Sequence, residues 1–445
     1  MDIEWEADCV YAGTTPEIHF RENRMSNYLS RCVLGIATLL SIGSAPRAKA
    51  AAADRYSGDR VVRVTVINAA QRDQVVEWAR DVWSCNGAGI GTFDVQVSPE
   101  NFDALARSGI AYETLIDDVQ ALLDADAASR SSSNGGDWFS SYKTYAEIND
   151  RIALLTQVYP DLATASSVGQ SLEGRDLTAL RITGPNTESN LADSRPVVFI
   201  GATQHAREWI APMTAMFLAQ QLLDLYAVDP RVQYIVDSID FRIVALDNPD
   251  GYEYTWTTNR LWRKNREINQ GSSCRGVDMN RNWGYAWGGQ GSSSDPCSDV
   301  YRGTDPWSEP ETAALRDFVL SFSDRLLVTW DLHSYSQLVL EPWQYTTQPP
   351  PDSTYLNELG SLIAQAIADI HGVRYEAGEG SRILYLAAGT AHDWAYGELG
   401  AWGIGIELRD TGRFGFVLPP DQIIPTGEEI FESLLRLNER LLSGG

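Results

Sequence analysis

The chain has 445 residues, of which 44% are hydrophobic and 10% aromatic, and its formal net charge at pH 7 is −25. This length and composition predict a soluble globular protein with a sizeable core and more than one domain. The acidity excludes nucleic acid as a partner, because no basic stripe is present to neutralise phosphates.

The amino-terminal 50 residues carry the features of an export signal. Arg31 precedes an apolar stretch over residues 33–42, and the small-residue pattern Ala48-Lys49-Ala50 follows it. A membrane-spanning helix needs about 20 apolar residues, so this stretch is too short to span. We therefore predict a signal peptide over residues 25–50, a secreted protein and no membrane span. Residues 1–24 are acidic, unlike the start of a signal, and we interpret them as a non-native extension.

Residues 51–130 are predicted to form a small α/β domain. Hydrophobic periodicity and turn signals predict strands over residues 61–67, 91–97 and 111–115, and helices over residues 71–82 and 99–108. The polar sequence Arg130-Ser131-Ser132-Ser133-Asn134-Gly135-Gly136 follows. Its composition is typical of a flexible, protease-accessible connection, so we predict a linker over residues 131–136.

Residues 137–445 are predicted to form one larger domain, in which apolar runs alternate with helical patterns. Predicted strands cover residues 197–200, 241–246, 326–330 and 403–408, and predicted helices cover residues 210–226, 309–321, 355–371 and 426–442. Strands that are apolar throughout favour a sheet covered by helices on both faces. The predicted fold class is therefore α/β, with a mixed, mostly parallel central sheet preceded by the smaller α/β domain.

Two of the five histidines lie at the carboxyl ends of predicted strands. His205 and Glu208 follow the apolar run 197–200, and His333 ends the run that begins at residue 326. Open α/β sheets build their sites at such strand ends. Two imidazoles and a carboxylate suit Zn²⁺, and three protein ligands leave one coordination position open, as catalysis requires. We predict one zinc ion per chain and a hydrolytic reaction.

Export would permit a disulfide, and five cysteines are present. Cys9 and Cys32 lie in segments predicted to be absent from the mature protein. Cys274 and Cys297 bracket a loop rich in Gly, Ser and Trp, and we pair these two. A bridge over about 20 residues contributes ~3 kcal/mol in the loop-entropy description. We interpret the remaining Cys85 as a buried, unreactive thiol.

Five sequence blocks carry a resemblance to a known family. In chain order they are His205-Ala206-Arg207-Glu208-Trp209, Asn259-Arg260-Leu261-Trp262-Arg263-Lys264-Asn265-Arg266, Gly276-Val277-Asp278-Met279-Asn280-Arg281-Asn282-Trp283, Leu332-His333-Ser334-Tyr335-Ser336-Gln337 and Glu407-Leu408-Arg409-Asp410-Thr411-Gly412-Arg413. Together they resemble the zinc carboxypeptidases of the pancreatic A/B type. The amino-terminal domain resembles, more weakly, the inhibitory activation segment of that family.

The resemblance implies a secreted enzyme, made as a zymogen, that releases single amino acids from the carboxyl ends of peptides and proteins. It also implies an activating protease, cleavage near Arg130 and a monomeric state. His205, Glu208 and His333 match the zinc ligands of the family.

The same resemblance assigns roles around the metal. Glu407 matches the general base, which takes a proton from the attacking water and passes it to the leaving amine. Arg263 matches the arginine that polarises the scissile carbonyl and stabilises the oxyanion. Asp278 matches a carboxylate that orients the imidazole of His205.

Substrate-binding roles follow in the same way. Asn280 and Arg281 match the pair that binds the terminal carboxylate. Tyr385 matches the mobile tyrosine that closes over the substrate, and Arg207 matches an arginine of more remote subsites.

Specificity departs from the family pattern, because His392 stands where relatives carry an apolar or an acidic residue. A neutral imidazole would leave a mainly uncharged pocket, whereas a protonated one would accept an acidic side chain. We expect apolar and aromatic terminal residues, with Gln344 narrowing the pocket. A preference for Lys or Arg is not expected unless Glu341 or Glu379 turns inward.

Two other functions are compatible with these residues. A zinc amidohydrolase acting on cell-wall peptides or acyl amino acids would use the same metal chemistry with a different pocket. A catalytically dead binding module would be expected to lack a ligand or the base, and every matched position is occupied here.

Overall fold

The structure is a computed structural model that describes residues 55–84, 89–132, 136–187 and 191–444. All of these residues belong to one compact unit that spans Ala50–Gly445. The predicted amino-terminal extension, the signal peptide and Cys85 lie outside the described residues. Within the described ranges, no helix is both long enough and apolar enough to cross a membrane.

The amino-terminal part of the described chain is a small α/β domain. Its elements are β1 (Arg60–Val66), α1 (Ala69–Trp78), β2 (Ala79–Val82), β3 (Gly91–Val97), α2 (Pro99–Ser108), β4 (Ala111–Ile116) and α3 (Val119–Ser132). The four strands form an antiparallel sheet in the order β2-β3-β1-β4. Because side chains alternate along a strand, Val62 and Val64 of β1 pack on one face with Leu105 of α2. Val61 points to the other face and packs with Leu261 and Phe416 of the larger domain.

Two sequence predictions in this domain were wrong. The helix predicted over residues 71–82 ends at Trp78, and Ala79–Val82 form the edge strand β2. Pairing of β2 with β3 overrides the local helical pattern, since strand formation depends on neighbours more than on propensity. Helix α3 was not predicted, and it continues through Arg130 to Ser132, so the start of the predicted linker is helical.

The larger domain alternates strands and helices along the chain. Its elements are α4 (Tyr145–Val158), β5 (Ala163–Gln170), β6 (Asp176–Ile182), β7 (Val197–Ala202), α5 (Ile210–Leu225), α6 (Pro230–Ser238), β8 (Asp240–Val244), α7 (Pro249–Thr257), α8 (Pro310–Leu320), β9 (Leu326–Ser334), β10 (Leu338–Glu341), α9 (Ser353–His371), β11 (Glu376–Glu379), α10 (Gly380–Ile383), α11 (Ala391–Leu399), β12 (Trp402–Leu408) and α12 (Ile423–Leu442).

The central sheet has eight strands in the order β11-β10-β12-β9-β7-β8-β6-β5. Strands β8, β7, β9 and β12 run parallel, whereas β5, β6 and β10 bring antiparallel pairings at the two sides. Val198 and Ile200 of β7 belong to a core cluster with α5, α9 and α12, and Val197 and Phe199 pack with α8 on the opposite face. The predicted mixed, mostly parallel sheet with helices on both faces is confirmed.

The sheet brings the predicted site residues to one edge. Strands β7, β9 and β12 are parallel neighbours, so their carboxyl ends meet at the same side of the sheet. Strand β9 continues to Ser334, four residues beyond the predicted end at residue 330, and therefore includes His333. In the register between β9 and β12, His333 pairs with Glu407.

Candidate active site

Three buried side chains converge at the carboxyl edge of the sheet. His205 lies on the turn between β7 and α5, Glu208 precedes α5, and His333 lies near the end of β9. Nδ1 of His205 lies 2.9 Å from Oε1 of Glu208, and Nδ1 of His333 lies 3.0 Å from Oε2. The two Nδ1 atoms are 3.1 Å apart. One nitrogen or oxygen from each residue thus surrounds a common point, and among the described residues this is the group that can hold a metal ion.

The turn that carries His205 leaves β7 abruptly. Thr203 adopts a left-handed backbone conformation, with φ of 72°, that non-glycine residues seldom occupy. Its hydroxyl donates a 2.8 Å hydrogen bond to the carbonyl of Ala245, which holds the turn against β8. Glu208 then accepts a hydrogen bond of 3.2 Å from the backbone N–H of Ser334, which joins the turn to the end of β9.

Each histidine gives its second ring nitrogen to a buried carboxylate. Nε2 of His205 lies 3.0 Å from Oδ1 of Asp278, as the resemblance predicted, and Nε2 of His333 lies 2.9 Å from Oδ2 of Asp331. These contacts assign the proton to Nε2 in both rings and leave the Nδ1 lone pairs directed at the common point. The donor set and its orientation therefore fit Zn²⁺, which takes imidazole nitrogen and carboxylate oxygen.

The sequence analysis missed Asp331. It precedes His333 by two positions on β9, so both side chains point to the same face of the sheet. That spacing was the signal available in the sequence. Gln204 donates a 2.7 Å hydrogen bond to the other oxygen of Asp331 and fixes the carboxylate in place.

Opposite charges compensate one another around the metal group. Burial by itself raises the pKa of Asp278, but the neighbouring Arg263 and Arg281 bring that pKa well below its usual value. Burial also raises the pKa of Glu208, and His205 and His333 outweigh it, so that its net shift is downward. Both carboxylates are therefore ionised at neutral pH.

Arg263 and Glu407 both lie close to the metal group. Nη2 of Arg263 donates a 2.9 Å hydrogen bond to Asp278, and its Nη1 lies 3.9 Å from Oε1 of Glu208. Glu407 is buried on β12 and lines the same cavity as His205 and His333. Glu407 therefore shares a cavity with both histidines, and Arg263 neighbours the metal group through Asp278 and Glu208.

Arg281 and Tyr385 are brought together in that cavity. Nη2 of Arg281 donates a 3.3 Å hydrogen bond to the Tyr385 hydroxyl, and its Nη1 and Nε donate to the carbonyls of Asn280 and Gly291. The Asn280 side chain forms hydrogen bonds with other residues of the protein. Its Nδ2 donates to Asp331 at 3.2 Å, and its Oδ1 accepts from the backbone N–H of Ala391 at 2.9 Å.

Arg207 faces the small amino-terminal domain. Its Nη1 donates a 2.6 Å hydrogen bond to Oδ2 of Asp81, and its Nη2 donates to the carbonyl of Val82 at 3.3 Å. The guanidinium also lies 4.0 Å from the centre of the Phe416 ring. Arg207 is 1% exposed, so strand β2 covers this side chain completely.

His392 begins helix α11 and lines the same cavity together with Gln344 and Thr390. Burial lowers the pKa of His392 to about 4, so its imidazole is neutral at pH 7. Glu341 and Glu379 do not line this cavity within the described part of the chain. The predicted pairing of Cys274 with Cys297 is confirmed by a disulfide.

Comparisons with known proteins place the chain in one family. The family profile described as zinc carboxypeptidase matches residues 148–433. Carboxypeptidase A1 of Bos taurus is 36% identical over 404 residues, covering 87% of this chain and 95% of the relative. Carboxypeptidase B of Astacus astacus is 42% identical over 300 residues, covering 67% of this chain and 96% of the relative.

Solved structures extend the likeness to the whole described fold. The structure of thrombin activatable fibrinolysis inhibitor superposes with a TM-score of 0.80 at 29% identity, covering 88% of this chain and all of that chain. Carboxypeptidase A from Helicoverpa armigera gives a TM-score of 0.76 at 29% identity, with 88% and 99% covered.

The chain belongs to the zinc carboxypeptidase family. It is a metallocarboxypeptidase of the A/B type, and its cofactor is one Zn²⁺ ion.

Proposed function

We propose that Glu407 and Arg263 perform the chemistry of this carboxypeptidase beside a metal held by His205, Glu208 and His333. The observation that carries the proposal is that Glu407 lines one cavity with His205 and His333, while Nη1 of Arg263 lies 3.9 Å from Oε1 of Glu208. Zinc, when bound, supplies a Lewis acid that polarises the scissile carbonyl and makes water a better nucleophile.

Glu407 takes the proton of the attacking water and delivers it to the leaving amine. Its position favours this role, because Glu407 is buried on β12 and lines the cavity beside His205 and His333. Arg263 stays charged throughout and donates hydrogen bonds to the oxygen that becomes negative. Its bond to Asp278 holds the guanidinium in position before the substrate arrives.

The terminal carboxylate of the substrate binds Arg281, and the hydroxyl of Tyr385 adds a second hydrogen bond. The 3.3 Å contact between these two side chains supports the pairing. Asn280 contributes to the carboxylate site once its amide turns from Asp331 towards the substrate. Recognition of a free carboxylate restricts hydrolysis to the last peptide bond.

The pocket beyond Arg281 takes an uncharged terminal side chain, in the manner of A-type rather than B-type enzymes. The neutral imidazole of His392 supplies no anion for Lys or Arg, and it supplies no cation for Asp or Glu. Apolar and aromatic residues fall within this class.

The small amino-terminal domain makes the protein a secreted zymogen. The ion pair between Asp81 and Arg207 covers an outer part of the substrate cleft, and the ring of Trp83 packs 5.3 Å from that of Phe416. A second protease, cutting after residue 130, releases the cleft. The mature enzyme acts as a secreted monomer on peptide and protein carboxyl ends.

The test is release of terminal residues from a peptide panel by the zinc-loaded full chain, before and after limited proteolysis, with and without a zinc chelator. We expect chelator-sensitive release that rises at least about tenfold after cleavage. Peptides that stay intact under all conditions, together with hydrolysis of cell-wall peptides or acyl amino acids, would establish an amidohydrolase instead. No hydrolysis of either class would indicate a binding module.

The zymogen contact has its own test. Asp81→Asn removes the carboxylate that accepts from the buried Arg207, and we expect the uncut chain to gain activity, because the contact that holds the covering domain is weakened. Asp73→Asn is the matched control, since Asp73 lies exposed on α1 and forms its ion pair with the neighbouring Arg72. Full activity of the uncut native chain would refute the zymogen proposal.

A further inference from the structure

Four buried polar atoms of three residues that line the cavity make no hydrogen bond within the described part of the chain. They are Nδ1 and Nε2 of His392, Oγ1 of Thr390 and Oε1 of Gln344, and each of these residues is 2% exposed. A buried polar group without a partner is costly, and native proteins satisfy nearly all of them. Their concentration in one pocket indicates a hydrogen-bonding ligand.

Contacts around Gln344 fix the position of its side chain. The backbone N–H of Gln344 donates to Asp393, and its Nε2 donates to the carbonyl of Tyr385 at 2.5 Å. A Cβ atom at position 380 would lie 1.9 Å from Oε1, so Gly380 is what makes room for this side chain. Gln344 is thus fixed by three separate contacts.

His392 is placed in a similar way. Its Nε2 lies 3.7 Å from Oδ1 of Asp393, which is too long for a hydrogen bond. A Cβ atom at Gly405 would lie 3.5 Å from Nδ1, so Nδ1 borders the side of the cavity that Gly405 forms. The imidazole of His392 therefore lies close to Asp393 and Gly405, but neither residue forms a hydrogen bond with its ring nitrogens.

The unpaired atoms offer both kinds of hydrogen bond. A neutral imidazole has one donor and one acceptor, a threonine hydroxyl has both functions, and the Gln344 oxygen only accepts. The low pKa of His392, about 4 as a result of burial, keeps the imidazole neutral at pH 7. An aliphatic or aromatic side chain would leave all four atoms unpaired, and a charged one would be desolvated without a counter-ion.

On the basis of the carboxypeptidase function proposed above, we propose that this pocket selects terminal residues whose uncharged side chain both donates and accepts hydrogen bonds, with glutamine and asparagine preferred. The carboxamide NH₂ donates to Oε1 of Gln344. Its oxygen accepts from the hydroxyl of Thr390 or the N–H of His392. Hydrophobic terminal residues enter the same pocket, but they make van der Waals contacts and no hydrogen bonds there.

The test compares peptides that differ only in the polarity of the last side chain. Asn against Leu and Gln against Met are pairs of similar shape, and Lys, Arg, Asp and Glu complete the panel. The zinc-loaded chain is assayed before and after limited proteolysis. We expect kcat/KM to be at least about tenfold higher for Asn than for Leu and for Gln than for Met, because the apolar partner leaves buried groups unpaired.

Substitutions in the pocket distinguish its effect on substrate preference from effects on the rest of the enzyme. Thr390→Val and His392→Leu should each lower the Asn/Leu and Gln/Met ratios about tenfold, chiefly by slowing the amide substrates. Thr390→Ser should restore the ratios, because it returns the hydroxyl. Thr214→Val is the matched control, since Thr214 is also buried with an unpaired hydroxyl but lies on α5, away from the cavity.

Two results would overturn the inference while leaving the carboxypeptidase function intact. One is release of Leu or Met at least as fast as Asn or Gln by the native protein. The other is an amide preference that persists in both Thr390→Val and His392→Leu. No release of any terminal residue would instead refute the proposed function, and the inference with it.

Discussion

His333 and His392 are both buried and line the same cavity, yet their surroundings are opposite. His333 has Glu208 at 3.0 Å from one ring nitrogen and Asp331 at 2.9 Å from the other. Burial lowers its pKa, but these two carboxylates outweigh burial and raise the pKa well above its usual value. Neither nitrogen of His392 has a hydrogen-bond partner among the described residues, and burial lowers its pKa to about 4.

The difference shows that hydrogen-bonding partners, more than burial, decide the protonation and the role of a buried histidine. Asp331 fixes the ring orientation of His333 and holds a proton on Nε2, which leaves Nδ1 on the side of the metal group. The ring of His392 keeps a donor and an acceptor available, which prepares a surface for a substrate side chain. One cavity thus combines a highly charged, internally compensated metal group with an uncharged pocket.

The largest expected effect comes from changing Glu208, one of the two carboxylates that lie beside His333. Glu208→Gln keeps the shape of the side chain but removes the anionic oxygen that lies near both histidines. We expect zinc affinity and hydrolysis to fall by more than the ~10–100-fold that loss of an outer partner costs. Zinc content after dialysis and competition with a chelator measure the effect.

The control for Glu208→Gln is Glu358→Gln, because the side chain of Glu358 is 60% exposed on α9, away from the cavity. This variant should bind zinc like the native chain. A Glu208→Gln protein that kept stoichiometric zinc through dialysis would show that the three-residue group is not the metal site.

A smaller effect is expected from the partner that the sequence analysis missed. Asp331→Asn weakens the acceptor for Nε2 of His333, and we expect zinc to bind about tenfold more weakly. Asp247→Asn is the matched control. Asp247 is buried beside Asp331, and burial raises its pKa well above the usual value, which favours its neutral form. Equal losses of zinc affinity in the two variants would contradict a specific role for Asp331.

The metal group was predictable because local sequence fixes most of it. His205 and His333 follow apolar runs that become neighbouring parallel strands, and parallel strands place their carboxyl ends together. The disulfide followed from export and the positions of Cys274 and Cys297. Asp331 was within reach of the same reasoning, since strand side chains two residues apart share a face.

The unpaired pocket was not predictable in this way. Gln344 follows β10, whereas Thr390 and His392 lie at the start of α11, and only the folded chain brings them together. No local pattern shows that their polar atoms have no partner. The edge strands β5 and β2 were missed for a related reason. Polar or short segments form strands when a neighbouring strand pairs with them.

The smallest expected effect concerns the stability cost of leaving His392 unpaired. His392→Leu replaces two unsatisfied nitrogens by apolar atoms, and we expect the free energy of unfolding to rise by about 1–2 kcal/mol at pH 7. Urea denaturation of the zinc-free proteins measures the difference. The gain in stability would accompany the loss of amide preference proposed above, as is common at binding sites.

Lower pH should increase the difference in unfolding free energy between His392→Leu and the native protein. The pKa of His392 is about 4 in the folded chain, and an unfolded histidine has an ordinary value of about 6.5. Between these values the unfolded chain binds a proton that the folded chain does not, so the native protein loses stability as the pH falls through this window. His392→Leu lacks this loss, and the difference in unfolding free energy should grow by about 2 kcal/mol by pH 5. A native protein more stable than His392→Leu at both pH values would mean that the imidazole has partners after all, and the contrast with His333 would disappear.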